Sequence, residues 1–161
     1  MSNGRFTVAL AQSSEDMGAI REIFREYEAA LGIDLCFQGF EEELANLPGK
    51  YAPPHGALLL ARDVAGNPIG CVALRPVGGE GVCEMKRLFV RPSGRGMGLG
   101  RALAEAIVEE ARRIRYVQMR LDTLPAMAEA VALYQSMGFQ SIEPYYETPI
   151  ANTIFLAKAL L

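Results

Sequence analysis

One histidine, His55, and three cysteines, Cys36, Cys71 and Cys83, are the whole supply of imidazole and thiol in this chain of 161 residues. The cysteines are odd in number and stand at no metal-ligand spacing, and with a single histidine beside them no zinc site or other metal is expected. They read as small buried hydrophobes of a reducing compartment. No apolar run approaches the length that spans a bilayer, which argues against a membrane protein. The opening Met1-Ser-Asn-Gly-Arg5 lacks the apolar core of a signal peptide, so a cytoplasmic location is expected. Positive charge is not in excess: 16 Lys and Arg against 19 Asp and Glu leave a net charge of -3, the wrong sign for a general nucleic-acid binder. Repeats, low-complexity tracts and internal linkers are missing too. What is there is ordinary globular composition, half hydrophobic and 22% charged, in a length that suits one domain over residues 1–161.

That domain is organised around Val82 to Arg113. Val82, Leu88, Phe89 and Val90 suit a half-buried strand, which Pro92 ends because proline offers no ladder donor. Leu99, Ala102, Leu103, Ala106, Ile107 and Ala111 then recur at helical spacing. Between strand and helix lie Gly96, Gly98 and Gly100. A glycine turn that opens a helix aims unpaired amides and the positive helix end at one point, and without Cβ atoms it admits phosphates to the main chain. Lys86, Arg87, Arg91, Arg95 and Arg101 fall in the same stretch with no acidic residue among them. The stretch reads as a diphosphate cradle. A P-loop would need Lys-Ser/Thr after the last glycine, where Arg101-Ala102 stands. A dinucleotide fingerprint would need a third glycine where Arg101 or Leu103 stands; Asp122, placed for a ribose contact, keeps that reading as a rival.

The sequence Arg95-x-x-Gly98-x-Gly100 between this strand and this helix resembles the acetyl-coenzyme A signature of the GNAT superfamily of N-acetyltransferases. Ala132-Leu-Tyr134-Gln-Ser-Met-Gly-Phe139 is similar to that superfamily's late helix and following strand. The matched motifs run from about Val82 to Phe139. The resemblance implies an α/β fold with a central mixed, mostly antiparallel twisted sheet flanked by helices. It implies acetyl transfer from acetyl-coenzyme A, as co-substrate, to a primary amine of a small molecule, amino acid or peptide. It also implies Arg95, Gly96, Met97, Gly98, Leu99, Gly100 and Arg101 around the coenzyme, and a bulge near Leu88, Phe89 and Val90 whose free N–H binds the acetyl oxygen. Glu84 falls at a place where several members carry a catalytic carboxylate, and Tyr134 matches a helix tyrosine beside the coenzyme sulfur, able to protonate the leaving thiolate. The structural alternatives are an ion pair with an arginine for Glu84 and a plain core position for Tyr134.

The rest of the chain frames this unit. Phe6 to Ala11 reads as a first strand, and Ser13 to Asp16 offer caps for a helix with Ile20, Ile23, Phe24, Tyr27 and Leu31 on one face, stopped by Gly32. Phe40, Leu44 and Leu47 mark a short helix whose Glu41, Glu42 and Glu43 read as an exposed face. In the resembling family this early region walls the acceptor site, which makes Tyr27, Phe37 and Gln38 substrate-contact candidates. Ala57 to Ala61 and Ile69 to Leu74 form a hairpin through Gly66-Asn67. Val117 to Leu121 is a strand parallel to the central one, and Thr153 to Ala159 closes the sheet with Phe139 to Ile142. Direct attack in a ternary complex needs no thiol; a relay through Cys83 is its alternative, although neighbours in a strand face opposite ways and Cys83 adjoins Glu84. A non-catalytic acyl-coenzyme A-binding module is the rival from another class, and a monomer or homodimer fits the compact chain.

Overall fold

A computed structural model describes residues 4–161, the side chain of Phe37 excepted. The elements are β1 (Phe6–Leu10), α1 (Ser14–Leu31), α2 (Phe40–Ala45), β2 (Ala57–Asp63), β3 (Pro68–Pro76), β4 (Val82–Val90), α3 (Leu99–Ile114), β5 (Gln118–Thr123), α4 (Ala128–Ser136), β6 (Gln140–Ser141) and β7 (Ile154–Ala159), with short 3-10 turns at Cys36–Gln38, Gly49–Tyr51 and Pro92–Gly94. The strands form one sheet in the order β1-β2-β3-β4-β5-β7-β6, antiparallel at every junction except β4 with β5. The mixed, mostly antiparallel sheet flanked by helices is therefore present. The short helix ends at Ala45, before Leu47.

Each face of the sheet carries its own core. On one, Leu99, Leu103, Ile107 and Ala111 of α3 pack against Val72, Leu74, Met85, Met119 and Leu121. On the other, Ile20, Ile23 and Phe24 of α1 and Phe40 and Leu44 of α2 cover Leu58, Leu60, Cys71 and Ala73. Full burial of a leucine or isoleucine side chain contributes about 1.5–3 kcal/mol, so these stripes decide where the helices sit. The start of α1 is fixed by a reciprocal cap: the Asp16 amide donates to Ser13 Oγ at 3.0 Å, and the Ser13 amide donates to Asp16 Oδ2 at 3.3 Å.

Two irregularities of β4 make room for a site. Its pairing with β5 covers only Val82–Glu84 against Gln118–Arg120, so the parallel strands part beyond that point. Its pairing with β3 jumps from Ala73↔Lys86 to Cys71↔Phe89, leaving Arg87 and Leu88 opposite the single residue Val72. The bulge thus begins one residue before the expected Leu88 to Val90, at Arg87, whose φ of 61° is left-handed and unfavourable for a side chain of this kind. Side-chain partners hold it there. The Arg87 guanidinium donates to both Glu43 oxygens at 3.1 and 3.0 Å and lies 5.2 Å from the Phe40 ring centroid. The Cys71 thiol donates to the Arg87 carbonyl at 3.4 Å.

Candidate functional site

The parting of β4 and β5 opens a narrow cavity of about 50 Å³ through the sheet. Met85, Leu88, Leu121 and Tyr134 line it, with Tyr27 and Gln38 on the α1 side. It meets a wider cleft of about 630 Å³, whose lining includes Glu84, Arg75, Tyr51 and Glu43. Gln38, Lys86, Arg87 and Tyr146 border both spaces.

Glu84, 1% exposed, looks into the cleft. Its carboxylate accepts from Arg75 Nε at 2.8 Å and from the Tyr145 hydroxyl at 2.5 Å. The ion pair considered as its structural alternative therefore exists, yet it leaves the carboxylate on the cavity wall. Burial and the neighbouring Glu84 push the Tyr145 hydroxyl up, so it stays a donor. Arg120 covers the Tyr145 ring at 5.2 Å. Tyr146 donates to Asp122 Oδ2, and both tyrosine rings pack on Phe155 with centroids 5.2 Å away.

Tyr134 is buried on the narrow cavity, its ring 5.8 Å from Phe139 and set edge-on, and burial pushes its hydroxyl up. Tyr27 stands across from it against Phe89 at 6.2 Å, its hydroxyl pushed up to about 12 by burial. Gln38 accepts from Lys86 Nζ at 3.1 Å. The Phe37 side chain lies outside the described residues. Of the three bulge candidates, Leu88 lines the narrow cavity, whereas Phe89 packs toward α1 and Val90 toward α3.

The loop before α3 turns sharply and leaves main-chain amides exposed to the helix end. Gly96 and Gly98 take φ of 83° and 73°, which turn the chain into the helix. No side chain caps Gly98, and no acidic residue occupies the first turn. Among the described residues, the six amides from Gly96 to Arg101 have no acceptor; the first helical bond is Ala102 to the Gly98 carbonyl at 3.1 Å. A Cβ on Gly100 would meet nothing closer than Val90 Cγ2 at 4.0 Å, so the space beside the main chain is open. Arg95 is exposed beside this turn, and Arg101 donates to Ser136 Oγ at 2.7 Å. Met97 and Leu99 pack into the core below it.

The basic cluster is more divided than its sequence suggests. Arg91 donates to both Glu26 oxygens at 2.9 and 2.7 Å, and Lys86 and Arg87 face the α1 side, bound to Gln38 and Glu43. Only Arg95 and Arg101 of the five stand in the glycine turn itself. Strand alternation and the bulge send the others away. Glu43 likewise leaves the expected exposed face to bind Arg87. Cys83 lines neither cavity; it is fully buried on the opposite face from Glu84, and burial and then Glu84 push its thiol up to about 12. A group so shielded supplies no thiolate near neutrality. The residues that sequence reasoning passed over are Tyr145, Tyr146, Arg75 and, in its actual place, Lys86. Their only signal was a pair of adjacent tyrosines between Pro144 and Pro149.

Residues 18–139 match the model of the Acetyltransferase (GNAT) family. The chain is 43% identical over 156 residues to an uncharacterized N-acetyltransferase of Schizosaccharomyces pombe, covering 97% of this chain and 96% of that one. Among solved structures, an acetyltransferase of the GNAT family from Staphylococcus aureus superposes with a TM-score of 0.80 at 17% identity, over 97% of this chain and 99% of that one. The Salmonella typhimurium protein yncA, solved with its cofactor acetyl-coenzyme A, superposes with a TM-score of 0.68 at 22% identity, over 98% of this chain and 95% of that one. No helix among the described residues is long and apolar enough to cross a membrane.

Proposed function

The chain belongs to the GNAT family of acetyltransferases, and from that premise we propose that it moves an acetyl group from acetyl-coenzyme A to the primary amine of a small molecule, amino acid or peptide. The observation that carries this reading is the row of unpaired amides from Gly96 to Arg101 at the start of α3. An anion such as a pyrophosphate satisfies such amides and the positive helix end together. Acetyl-coenzyme A supplies the activated thioester, and the fit is made by the open side of Gly100 and the narrow cavity between β4 and β5.

The chain's own groups divide the remaining work. Glu84 takes a proton from the amine, directly or through one water, and Tyr145 and Arg75 aim its carboxylate into the cleft. An N–H of the Arg87–Leu88 bulge, freed from regular pairing, faces the acetyl oxygen as negative charge develops there. Tyr134 donates to the sulfur as it departs. With Cys83 shielded on the far face, the amine attacks directly in a ternary complex. The single continuous sheet with a core on each face supports one domain, and three free cysteines suit a cytoplasmic protein acting as monomer or homodimer.

The test is release of free thiol from acetyl-coenzyme A across a panel of amines, amino acids and peptides. Amine-dependent release, with the N-acetyl product seen by mass spectrometry, is the expected result. Binding of acetyl-coenzyme A without release for any acceptor would instead assign a non-catalytic module.

A further inference from the structure

The acceptor's chemistry is written on the floor of the cleft. Arg75 is matched by Glu84 at 2.8 Å, and Arg87 by Glu43 at 3.0 Å. Lys86 is different. It is 9% exposed, borders both cavities, and its ammonium has one neutral partner, Gln38 Oε1 at 3.1 Å. The nearby acids are engaged elsewhere: Glu84 with Arg75 and Tyr145, Asp122 with Tyr146. An ammonium has three protons to donate, so Lys86 retains donors that no carboxylate of the described residues meets. Burial lowers the Lys86 pKa, and the field of Glu84, which Lys86 does not contact, offsets only part of that cost.

Glu84 and Lys86 are two residues apart on regularly paired strand, opposite Arg75 and Ala73, so their side chains project from the same face with roots about 6.6–6.8 Å apart. One negative and one positive group side by side on one face of the strand complement in sign the ammonium and carboxylate of a zwitterion. Building on the acetyltransferase reading, we infer that the acceptor is a free α-amino acid, whose carboxylate binds Lys86 Nζ while its amine lies within reach of Glu84. Gln38 holds the Lys86 ammonium in place and adds no charge of its own. Glu42, Lys50 and Glu147 at the mouth are exposed and of mixed sign, so selection for the carboxylate falls to the floor. A peptide N-terminus, whose carboxyl group is already an amide, leaves Lys86 unmatched.

Calorimetric titration of the coenzyme A-saturated protein with the protein amino acids, and with the amines they leave on decarboxylation, reads this contact without requiring turnover. At least one amino acid binds about tenfold to a hundredfold more tightly than its amine, the range for a buried charge-assisted hydrogen bond. Lys86→Met collapses that ratio toward one, and Lys86→Arg, which keeps the cation, preserves most of it. Coenzyme A binding by each variant confirms that it is folded. Amines binding as tightly as amino acids in the unaltered protein, no binding of either, or an undiminished ratio in Lys86→Met would each overturn the inference. The acetyltransferase reading is judged separately, by thiol release, so an enzyme that acetylates amines without regard to the carboxylate refutes only the zwitterion site.

Discussion

Replacing Glu84 by glutamine separates a base from a structural carboxylate, because the structure predicts different sizes for the two effects. Glutamine keeps the volume of a side chain that is 1% exposed. Its carbonyl still accepts from Arg75 Nε, and its amide donates to the Tyr145 oxygen, so no buried polar atom is stranded. What is lost is the charge on two hydrogen bonds. A charge-assisted bond contributes roughly 1.5–3 kcal/mol and a neutral one 0.5–1.5, so the cost approaches ~1 kcal/mol per bond. Arg75, 25% exposed, recovers part of that by hydration. A net loss of about 1–2 kcal/mol lowers the melting temperature by roughly 2–8 °C in a domain of this size. Loss of a positioned base costs about a hundred- to ten-thousand-fold in turnover. Thiol release at saturating acetyl-coenzyme A, beside a melting curve and a coenzyme A titration, measures all three quantities. The expected signature is a protein slightly less stable, unchanged in coenzyme affinity and nearly inactive. Turnover within about threefold of the parent enzyme removes Glu84 as the base, and a loss that follows coenzyme affinity assigns it to binding.

Gly98→Ala puts a Cβ at φ 73°, which costs about 1–2 kcal/mol of stability and re-aims the amides that follow; coenzyme A affinity by calorimetry falls at least tenfold, and an unchanged value rejects the phosphate cradle. Tyr134→Phe slows thiol release without unfolding the protein, and because burial holds the hydroxyl above its usual range, removing it leaves the pH–rate profile unaltered below about pH 10. An alkaline limb that vanishes in this variant would show instead that Tyr134 titrates during turnover. The Asp16 carboxyl is held down at about 2 by the Gln12 amide and by Arg62, against 3.8 for the free group. Its folded pKa lies below its unfolded one, so its contribution is present above about pH 4 and is lost as pH falls through 2; Asp16→Asn therefore melts a few degrees lower than the parent at pH 7, and the gap closes as pH falls below about 2.

How much of this was legible in the chain depends on the range of the interactions involved. β4 and the start of α3 were readable because alternation, Pro92 and the glycines are local signals, and Val82–Val90 is the strand as read. The place of the bulge was not readable, because nothing about an arginine announces a positive φ. Arg87 is held there by Glu43, 44 positions earlier, and by Phe40, contacts that exist only after α2 has docked. The same holds for Tyr145, which meets Glu84 from 61 positions away through the pairing of β5 with β7. The five basic residues misled for the opposite reason. They are close in sequence, and the eye sums them into one field, although a strand deals its side chains to two faces.

That division is also what gives the site its form. Along β4, Cys83 and Met85 point to the α3 core, while Glu84 and Lys86 point toward the α1 layer. Strict alternation would send Arg87 to the α3 core, Leu88 to the α1 layer and Phe89 back again. The extra residue reverses the parity: Arg87 joins Lys86 on the α1 side, Leu88 falls on the narrow cavity with Val90 beyond it, and Phe89 packs against Tyr27. A regular strand would bury the Arg87 guanidinium among Leu99, Leu103 and Ile107, where no carboxylate of that cluster could meet it. The bulge is thus what the charge of Arg87 demands of the backbone. The register shift that sets Leu88 on the narrow cavity arises from the same requirement that seats Arg87 on Glu43.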